Sequence, residues 1–218
     1  MNCSAHESLL NGNQRDGVTA LRSACVIIAG PIASGKTTAL RLVMASLAEE
    51  GRNVRAILQP AEARREDGKA LGFSVELLAG TGGKLSARRE RLAWEADPGE
   101  RIGDDALRFG RFCFAASAFR LAEEHIREAV EGPRRAEIIG IDEIGRLELE
   151  RGTGLRNALD LALAGAARPE GPLLVVSTRD DYAPTLQHYI EDFGIGTSLA
   201  EASDPEACLR AVRGLLQR

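Results

Sequence analysis

The sequence predicts an α/β fold in which helices cover both faces of a mostly parallel β-sheet. Short apolar runs at residues 24–29, 54–58, 138–141 and 173–177 are rich in β-branched side chains, as buried strands are. Most of these runs are separated by segments with apolar residues three and four positions apart, the pattern of an amphipathic helix. Because strands that alternate with helices form parallel sheets covered on both sides, we expect a three-layer architecture.

The predicted helices are defined by their apolar faces and end signals. Leu40, Val43, Met44 and Leu47 form the face of the first helix, which we expect to stop at Gly51. In chain order, the later helices are expected after a cap at Ser117, around residues 155–162, over 184–192, and after a capping box at 203–206.

Two segments depart from the alternation of strands and helices. Residues 60–116 are rich in arginine and glycine, with short apolar runs and a Gly-Thr-Gly-Gly turn, and this predicts a hairpin or small antiparallel insertion. Residues 1–23 are polar and predict a flexible N-terminal tail. We therefore expect a single domain over residues 24–218 with an insertion at about 60–116.

The composition excludes several classes of protein. The 218 residues are 44% hydrophobic, which excludes disorder throughout, and no apolar stretch is long enough to predict a membrane span. A net charge of −4 gives no reason to expect a nucleic-acid surface. The four cysteines form no CxxC pair and the three histidines no ligand spacing, so we expect reduced thiols, no structural metal site and a cytoplasmic location.

A glycine-rich stretch between the first predicted strand and helix matches the Walker A pattern GxxxxGK[ST]. It consists of Gly30, Pro31, Ile32, Ala33, Ser34, Gly35, Lys36, Thr37 and Thr38. Bound phosphates need backbone N–H groups that point inward at a helix N-terminus, and glycine permits the tight turn this requires. We expect Lys36 to reach the β and γ phosphates, Thr37 to ligate Mg²⁺, and Thr38 to contact the α phosphate.

Two carboxylates follow the apolar run at residues 138–141, as in a Walker B strand. Acidic residues at strand ends are often only solvated or capping groups, but parallel strands bring their carboxyl ends to the ligand-binding edge. Beside a phosphate loop, Asp142 is therefore expected to face the Mg²⁺ that Thr37 holds, through a water molecule. Glu143 is expected to polarise an attacking water as a general base.

Three segments together resemble the small P-loop nucleoside-triphosphatase family (NTPase_1), which is related in sequence to nucleotide kinases. They are residues 30–38, the stretch Gly-Lys-Ala-Leu-Gly-Phe at 68–73, and Ile-Asp-Glu-Ile-Gly-Arg-Leu-Glu-Leu at 141–149. The resemblance implies a P-loop NTPase fold of RecA-like type and slow, Mg²⁺-dependent hydrolysis of ATP, GTP and other nucleoside triphosphates. Arg146 stands where the family usually has lysine.

Phosphoryl transfer needs positive charge near the γ phosphate, and several arginines are candidates besides Lys36. Arg146 lies three residues after Glu143 and is the expected catalytic arginine, unless it only pairs with Glu148 or Glu143. Arg179 follows the last predicted strand at the same edge, and the arginine run at 88–91 could form a mobile lid. A nucleotide or nucleoside kinase, or a nucleotide-switched adaptor with a protein partner, stays open as an alternative.

Overall fold

A computed structural model describes residues 22–96, 103 and 105–217 of the chain. In chain order the elements are β1 (Arg22–Ala29), α1 (Lys36–Glu49), β2 (Val54–Leu58), β3 (Ala61–Arg64), β4 (Ala70–Thr81), β5 (Lys84–Glu95), β6 (Ala106–Phe109), β7 (Phe112–Ala115), α2 (Ala116–Glu131), β8 (Ile138–Ile144), α3 (Arg146–Leu149), α4 (Arg156–Ala166), β9 (Leu173–Thr178), α5 (Ala183–Glu191), β10 (Ile195–Glu201) and α6 (Pro205–Leu216). All ten strands belong to one sheet, ordered β10-β1-β9-β8-β2-β4-β5-β7-β6, with β3 beside β4.

Five parallel strands, β10, β1, β9, β8 and β2, form the centre of the fold. The four apolar runs are confirmed as central strands, and almost all of their side chains are buried. Strand β9 lies between β1 and β8, so three carboxyl ends meet side by side at one edge of the sheet. The phosphate loop follows β1, and the acidic pair ends β8, at this edge.

Helices cover both faces of the sheet, as the sequence predicts. On one face, the apolar stripe of α1 packs against the sheet together with α6, and Leu40, Val43, Met44 and Leu47 are fully buried there. On the other face, α2, α4 and α5 form a second cluster with the opposite sides of the same strands. Each fully buried Leu, Val or Met side chain contributes roughly 1.5–3 kcal/mol.

The insertion at 60–116 is antiparallel, as predicted: β4 and β5 form a hairpin about Gly82 and Gly83, and the whole segment extends the main sheet. Strand β4 pairs antiparallel with β2, and Leu58, the last residue of β2, lies opposite Glu76. The first half of β4 therefore runs past the carboxyl end of β2, where β3 pairs with it. We call strands β3 to β7 the antiparallel extension. Its strand β3 and the first half of β4 lie next to the ligand-binding edge, because they extend past the carboxyl end of β2.

The structure corrects several predicted boundaries. Helix α2 begins at Ala116 after Ala115, with no side-chain cap, so the cap predicted at Ser117 is wrong. Asp204 caps α6 by accepting a hydrogen bond from the Ala207 N–H at 2.8 Å. Strand β1 begins at Arg22, inside the predicted tail, and the rest of that prediction, residues 1–21, lies outside the described residues.

Strand β10 was not predicted, because it lies at the edge of the sheet and has no continuous apolar run. Ile195 is buried, whereas Leu199 is 63% exposed.

Cys25, Cys113 and Cys208 are free and buried, and Cys3 lies outside the described residues. Among the helices of the described residues, none is both long and apolar enough to cross a lipid bilayer.

Candidate active site

The phosphate loop has the backbone of an anion-binding turn. Ala33 and Gly35 adopt left-handed conformations, with φ of 63° and 91°, on either side of Ser34. A Cβ at Gly30 would collide with the Ser34 hydroxyl, so the close approach requires glycine at that position. Helix α1 begins directly after Gly35 without a side-chain cap, which leaves its first N–H groups free to bind an anion.

Lys36 occupies the centre of the loop. Its ammonium donates hydrogen bonds to the carbonyls of Gly30 at 3.1 Å and Pro31 at 2.9 Å, and its side chain is almost fully buried. The same ammonium lies 3.2 Å from Oε1 of Glu143, so one cation joins the phosphate loop to the acidic strand. The Ser34 hydroxyl is buried without a hydrogen-bond partner in the described part of the chain, as expected of a group awaiting a phosphate oxygen.

The other loop residues are more accessible to solvent. Thr37 is half-buried in the first turn of α1, and Thr38 is exposed. Ile32 is 74% exposed at the tip of the loop. The loop therefore presents backbone and hydroxyl groups to solvent while Lys36 is held below them.

Asp142 is fully buried and held by hydrogen bonds to two neighbouring strands. Its Oδ1 accepts a bond from the Ser177 hydroxyl at 2.5 Å, and its Oδ2 accepts one from the Gln59 N–H at 3.0 Å. The Gln59 side-chain amide also donates to the Asp142 carbonyl at 2.8 Å. No described lysine or arginine forms an ion pair with Asp142, so this buried carboxylate favours a bound cation.

Glu143 lies at a break in the regular pairing of β8. The register shifts between Ile141 and Ile144, and Glu143 adopts a left-handed φ of 57°. Its N–H donates to the Ser177 hydroxyl at 2.9 Å, and its side chain is 38% exposed. Such bulges redirect side chains next to active sites. Here the bulge lets consecutive residues serve one site, with Asp142 buried and Glu143 reaching Lys36.

Burial, followed by the charge of Asp142, raises the pKa of Glu143 above its ordinary value. The charges of Lys36 and Arg179 act in the opposite direction. A carboxylate that binds a proton more readily than an exposed glutamate is a better general base near neutral pH. The site therefore favours the base role that the sequence predicts for Glu143.

Sequence reasoning missed three residues that orient the acidic pair. Ser177 and Gln59 stand at the carboxyl ends of β9 and β2, where a polar residue after an apolar run was an available signal. Glu148 is buried and accepts hydrogen bonds from the N–H groups of Gly145 and Leu155, both at 3.1 Å. These hydrogen bonds hold the backbone of the residues that follow Glu143 in position.

Arg146, the predicted catalytic arginine, forms an exposed ion pair with Glu150 at 2.9 Å. The expected alternative partners, Glu148 and Glu143, are therefore wrong. Arg179 forms an ion pair with Asp181 at 2.5 Å, and its charge lowers the pKa of Glu143. Of these two arginines, Arg179 thus has the closer electrostatic relation to Glu143.

One residue of the arginine run at 88–91, Arg89, belongs to an ion-pair network that links α1 to the antiparallel extension. Glu76 accepts two hydrogen bonds from Arg41, at 2.6 and 2.9 Å, and one from Arg89 at 2.7 Å. Arg41 is the main cause that lowers the pKa of Glu76 to about 2. Arg88 is exposed and paired with Glu90. Arg89 is thus held by an ion pair to Glu76, which argues against the mobile lid that the sequence suggested.

For the nucleotide hydrolysis that the sequence predicts, we expect Ser177→Ala to lower kcat by about tenfold while leaving the KM for the nucleotide nearly unchanged. The hydroxyl both donates to Asp142 and accepts from the Glu143 N–H, and hydrogen bonds to charged groups contribute roughly 1.5–3 kcal/mol. The divalent-ion concentration for half-maximal activity should also rise, which a loss of stability alone would not cause. Ser86→Ala, in an exposed part of β5, is the control; equal effects of both variants would contradict the prediction.

Glu148 should make the stability of the fold depend on pH. Burial raises its pKa to about 7, whereas the unfolded chain releases this proton near 4.5. Stability is therefore expected to fall by about 3 kcal/mol as pH rises from 4.5 to 7. Urea unfolding at a series of pH values measures this loss, which Glu148→Gln should abolish. An unchanged pH slope in that variant would contradict the prediction.

Comparisons with known proteins agree with this geometry. The family model NTPase_1, described as NTPase, matches residues 25–193. The chain is 33% identical over 134 residues to "Nucleoside-triphosphatase THEP1" of Hyperthermus butylicus, covering 62% of each chain. It is 34% identical over 127 residues to the human "Cancer-related nucleoside-triphosphatase", covering 57% of this chain and 61% of that one. The match thus spans about three-fifths of the length of these curated relatives.

Two solved structures share the fold. The solution structure of the human cancer-related nucleoside triphosphatase has a TM-score of 0.58 at 20% identity, covering 89% of this chain and 98% of the other. The crystal structure of THEP1 from Aquifex aeolicus has a TM-score of 0.56 at 20% identity, covering 89% and 99%. The prediction of a P-loop NTPase fold is therefore confirmed.

Proposed function

Because the chain belongs to the NTPase_1 family, we propose that it hydrolyses nucleoside 5′-triphosphates to the diphosphate and phosphate. The contact between Lys36 and Glu143 carries this proposal. The two groups are 3.2 Å apart, so the carboxylate that we propose as general base lies beside the cation that would hold the β and γ phosphates. The free, buried thiols of Cys25, Cys113 and Cys208 support a cytoplasmic location, where thiols stay reduced.

The triphosphate would bind around residues 30–37, with its oxygens on the N–H groups of the loop and the first turn of α1. Lys36 would exchange its bonds to the loop carbonyls for bonds to phosphate, and the unpartnered hydroxyl of Ser34 would gain an acceptor. Thr38, which is exposed in the first turn of α1, would contact the α phosphate. The loop thus replaces internal hydrogen bonds with charge-assisted ones.

NTPases of this family generally use a divalent metal ion, and we propose Mg²⁺ here. No group of three or more His, Cys, Asp or Glu side chains in the described ranges could hold a metal. One hydroxyl and one carboxylate suit Mg²⁺, which takes most of its ligands from water and phosphate. Thr37 and Asp142 would hold it, and it would neutralise charge on the phosphate oxygens.

Glu143 would accept a proton from the attacking water and orient that water toward the γ phosphorus. Its bond to Lys36 ties its position to the loop, and the hydrogen bond from its N–H to Ser177 fixes its backbone. Lys36 would stabilise the developing negative charge together with an arginine. Arg179 directly follows β9 at the ligand-binding edge, and its charge also acts on Glu143, so we place Arg179 in this role ahead of Arg146.

Arg179→Ala is expected to lower kcat by about tenfold, and Arg146→Ala by less than threefold. The loss of one cation near the transferring phosphoryl group accounts for the larger effect. Steady-state phosphate release by both variants tests the assignment. A greater loss in Arg146→Ala would restore the role that the sequence predicts for Arg146.

The proposed activity is tested by incubating the protein with Mg²⁺ and γ-labelled ATP or GTP, with and without a pool of nucleosides and nucleoside monophosphates. Label released as free phosphate, unaffected by the pool and lost on chelation of Mg²⁺, is the expected result. Transfer of label to a member of the pool would identify a kinase instead. Tight nucleotide binding with neither product would favour a nucleotide-switched adaptor.

A further inference from the structure

A second concave surface lies on the antiparallel extension, outside the phosphate loop and acidic pair. A cavity of about 630 Å³ opens there between residues of β4, β5 and β6, the turn before β7, and the residues that follow β3 and β5. Its lining includes the side chains of Arg65, Arg91, Trp94, Glu95, Arg108 and Arg111. This volume falls within the range of small-ligand sites, roughly 300–1,000 Å³.

A β-bulge brings the arginine and the tryptophan of β5 to the same face of the sheet. Arg91 lies opposite Ser74 and Ala93 lies opposite Phe73, so Leu92 is an extra residue on β5. Without the bulge, residues three positions apart would point to opposite faces. With it, the Arg91 guanidinium lies 5.0 Å from the ring centroid of Trp94. The bulge thereby places the guanidinium against the indole ring, and we call this cation–π pair the Trp94–Arg91 platform.

The lining of the cavity is strongly positive in a chain of net charge −4. It has four arginines and a single carboxylate, Glu95, which pairs with Arg65 at 2.5 Å and lies 3.9 Å from Arg111. Within the described residues, Arg91 and Arg108 form no ion pair with a carboxylate. Both are exposed, so two guanidinium groups stay available to an anionic ligand.

These features together match a nucleotide better than a simple anion. Guanidinium groups bind phosphate oxygens in a bidentate manner, and bases stack on aromatic rings and guanidinium planes. The cavity fits one small ligand, and one platform provides one stacking position. A nucleic acid needs a groove that follows its backbone, and the overall negative charge opposes such binding.

We propose that this cavity is a second nucleotide site, in which a nucleoside phosphate places its phosphate on Arg108 and its base on the Trp94–Arg91 platform. This inference goes beyond the proposed hydrolysis, because it concerns binding at a site separate from the phosphate loop. It does not depend on which reaction the loop supports.

Trp94 is the only tryptophan of the chain, so its fluorescence reports on this cavity. The experiment titrates AMP into Lys36→Ala, in which the phosphate loop is disabled, and into the same variant carrying Arg108→Ala. Saturable quenching is expected in the first protein, with an affinity about tenfold weaker in the second. Arg88→Ala in the same background is the control, because Arg88 is an exposed arginine of β5 outside the cavity.

A second measurement keeps the test independent of the folding of Lys36→Ala. Equilibrium dialysis with labelled ADP should reach two bound nucleotides per wild-type chain at saturation. At an ADP concentration near the dissociation constant of the cavity, Arg108→Ala should bind clearly less ADP per chain than wild type. Quenching that disappears in correctly folded Lys36→Ala, or a single bound ADP in wild type, would overturn the second site. Neither result would affect the phosphate-release assay.

Two competitors test the identity of the ligand. Inorganic phosphate at the same concentration should not quench Trp94, since it carries no base to stack. Equal competition by phosphate would overturn the assignment in favour of a simple anion site. A short oligoadenylate that binds tenfold more tightly than AMP would overturn it in favour of a nucleic-acid surface.

Discussion

Replacing Glu143 with glutamine is expected to lower turnover by roughly 10²-fold or more while the nucleotide still binds. Glutamine has nearly the same size and can keep a hydrogen bond with Lys36, but it cannot accept a proton from water. Single-turnover phosphate release measures the loss, and titration with a non-hydrolysable triphosphate measures binding. Glu150→Gln removes an exposed carboxylate at the C-cap of α3 and is the control.

The same variant should change the dependence of the rate on pH. The ionised form of Glu143 is the base, so the wild-type rate should fall as pH decreases through its pKa. Because burial raises that pKa, the fall should occur at a higher pH than for an exposed glutamate. This acidic limb should vanish in Glu143→Gln. A variant with the wild-type rate and pH profile would show that another group activates the water.

Lys36→Ala is expected to weaken triphosphate binding by roughly 10²-fold and to reduce turnover below detection. Charge-assisted hydrogen bonds contribute roughly 1.5–3 kcal/mol each, and Lys36 would make more than one to the phosphates. Its removal also leaves Glu143 without its ion-pair partner, which raises the pKa of that carboxyl further. Calorimetric titration with a non-hydrolysable triphosphate measures the change in affinity.

The matched control for Lys36→Ala is Lys84→Ala, which removes an exposed lysine at the start of β5. Thermal unfolding separates lost binding from lost structure, since Lys36 also bonds to the carbonyls of Gly30 and Pro31. A folded Lys36→Ala protein with the wild-type affinity would rule out the loop as the triphosphate site.

The parts of the fold that depend on local sequence could be predicted. Fully buried strands such as β1 and β9 have continuous apolar runs, and the face of α1 has the helical period, so neither needs information from distant residues. Edge strand β10 lacks that signal because only its first two residues, Ile195 and Gly196, are buried. The start of α2 was mispredicted because strand β7 leads directly into the helix, with no loop residue between them to act as a cap.

The candidate site was predictable only where its residues are close in sequence. The phosphate loop and the acidic pair are contiguous motifs, whereas Ser177 reaches Asp142 only because β9 lies between β1 and β8. Arg146 is near Glu143 in sequence, but α3 directs its side chain toward Glu150, four residues later on the same helical face. Separation along the sequence therefore could not show that Ser177 contacts the acidic pair or that Arg146 pairs with Glu150 instead.

Strand β4 has a consequence for how the protein can move. Its 12 residues are one continuous strand, paired with β2 over its second half and with β3 over its first. A hinge between the core and the antiparallel extension would have to break this backbone ladder, unlike the loop hinges of closing domains. Amide hydrogen exchange along β4 should therefore be uniformly slow with and without nucleotide. Any structural response to nucleotide must then come from side chains and loops, while the backbone of β4 stays unchanged.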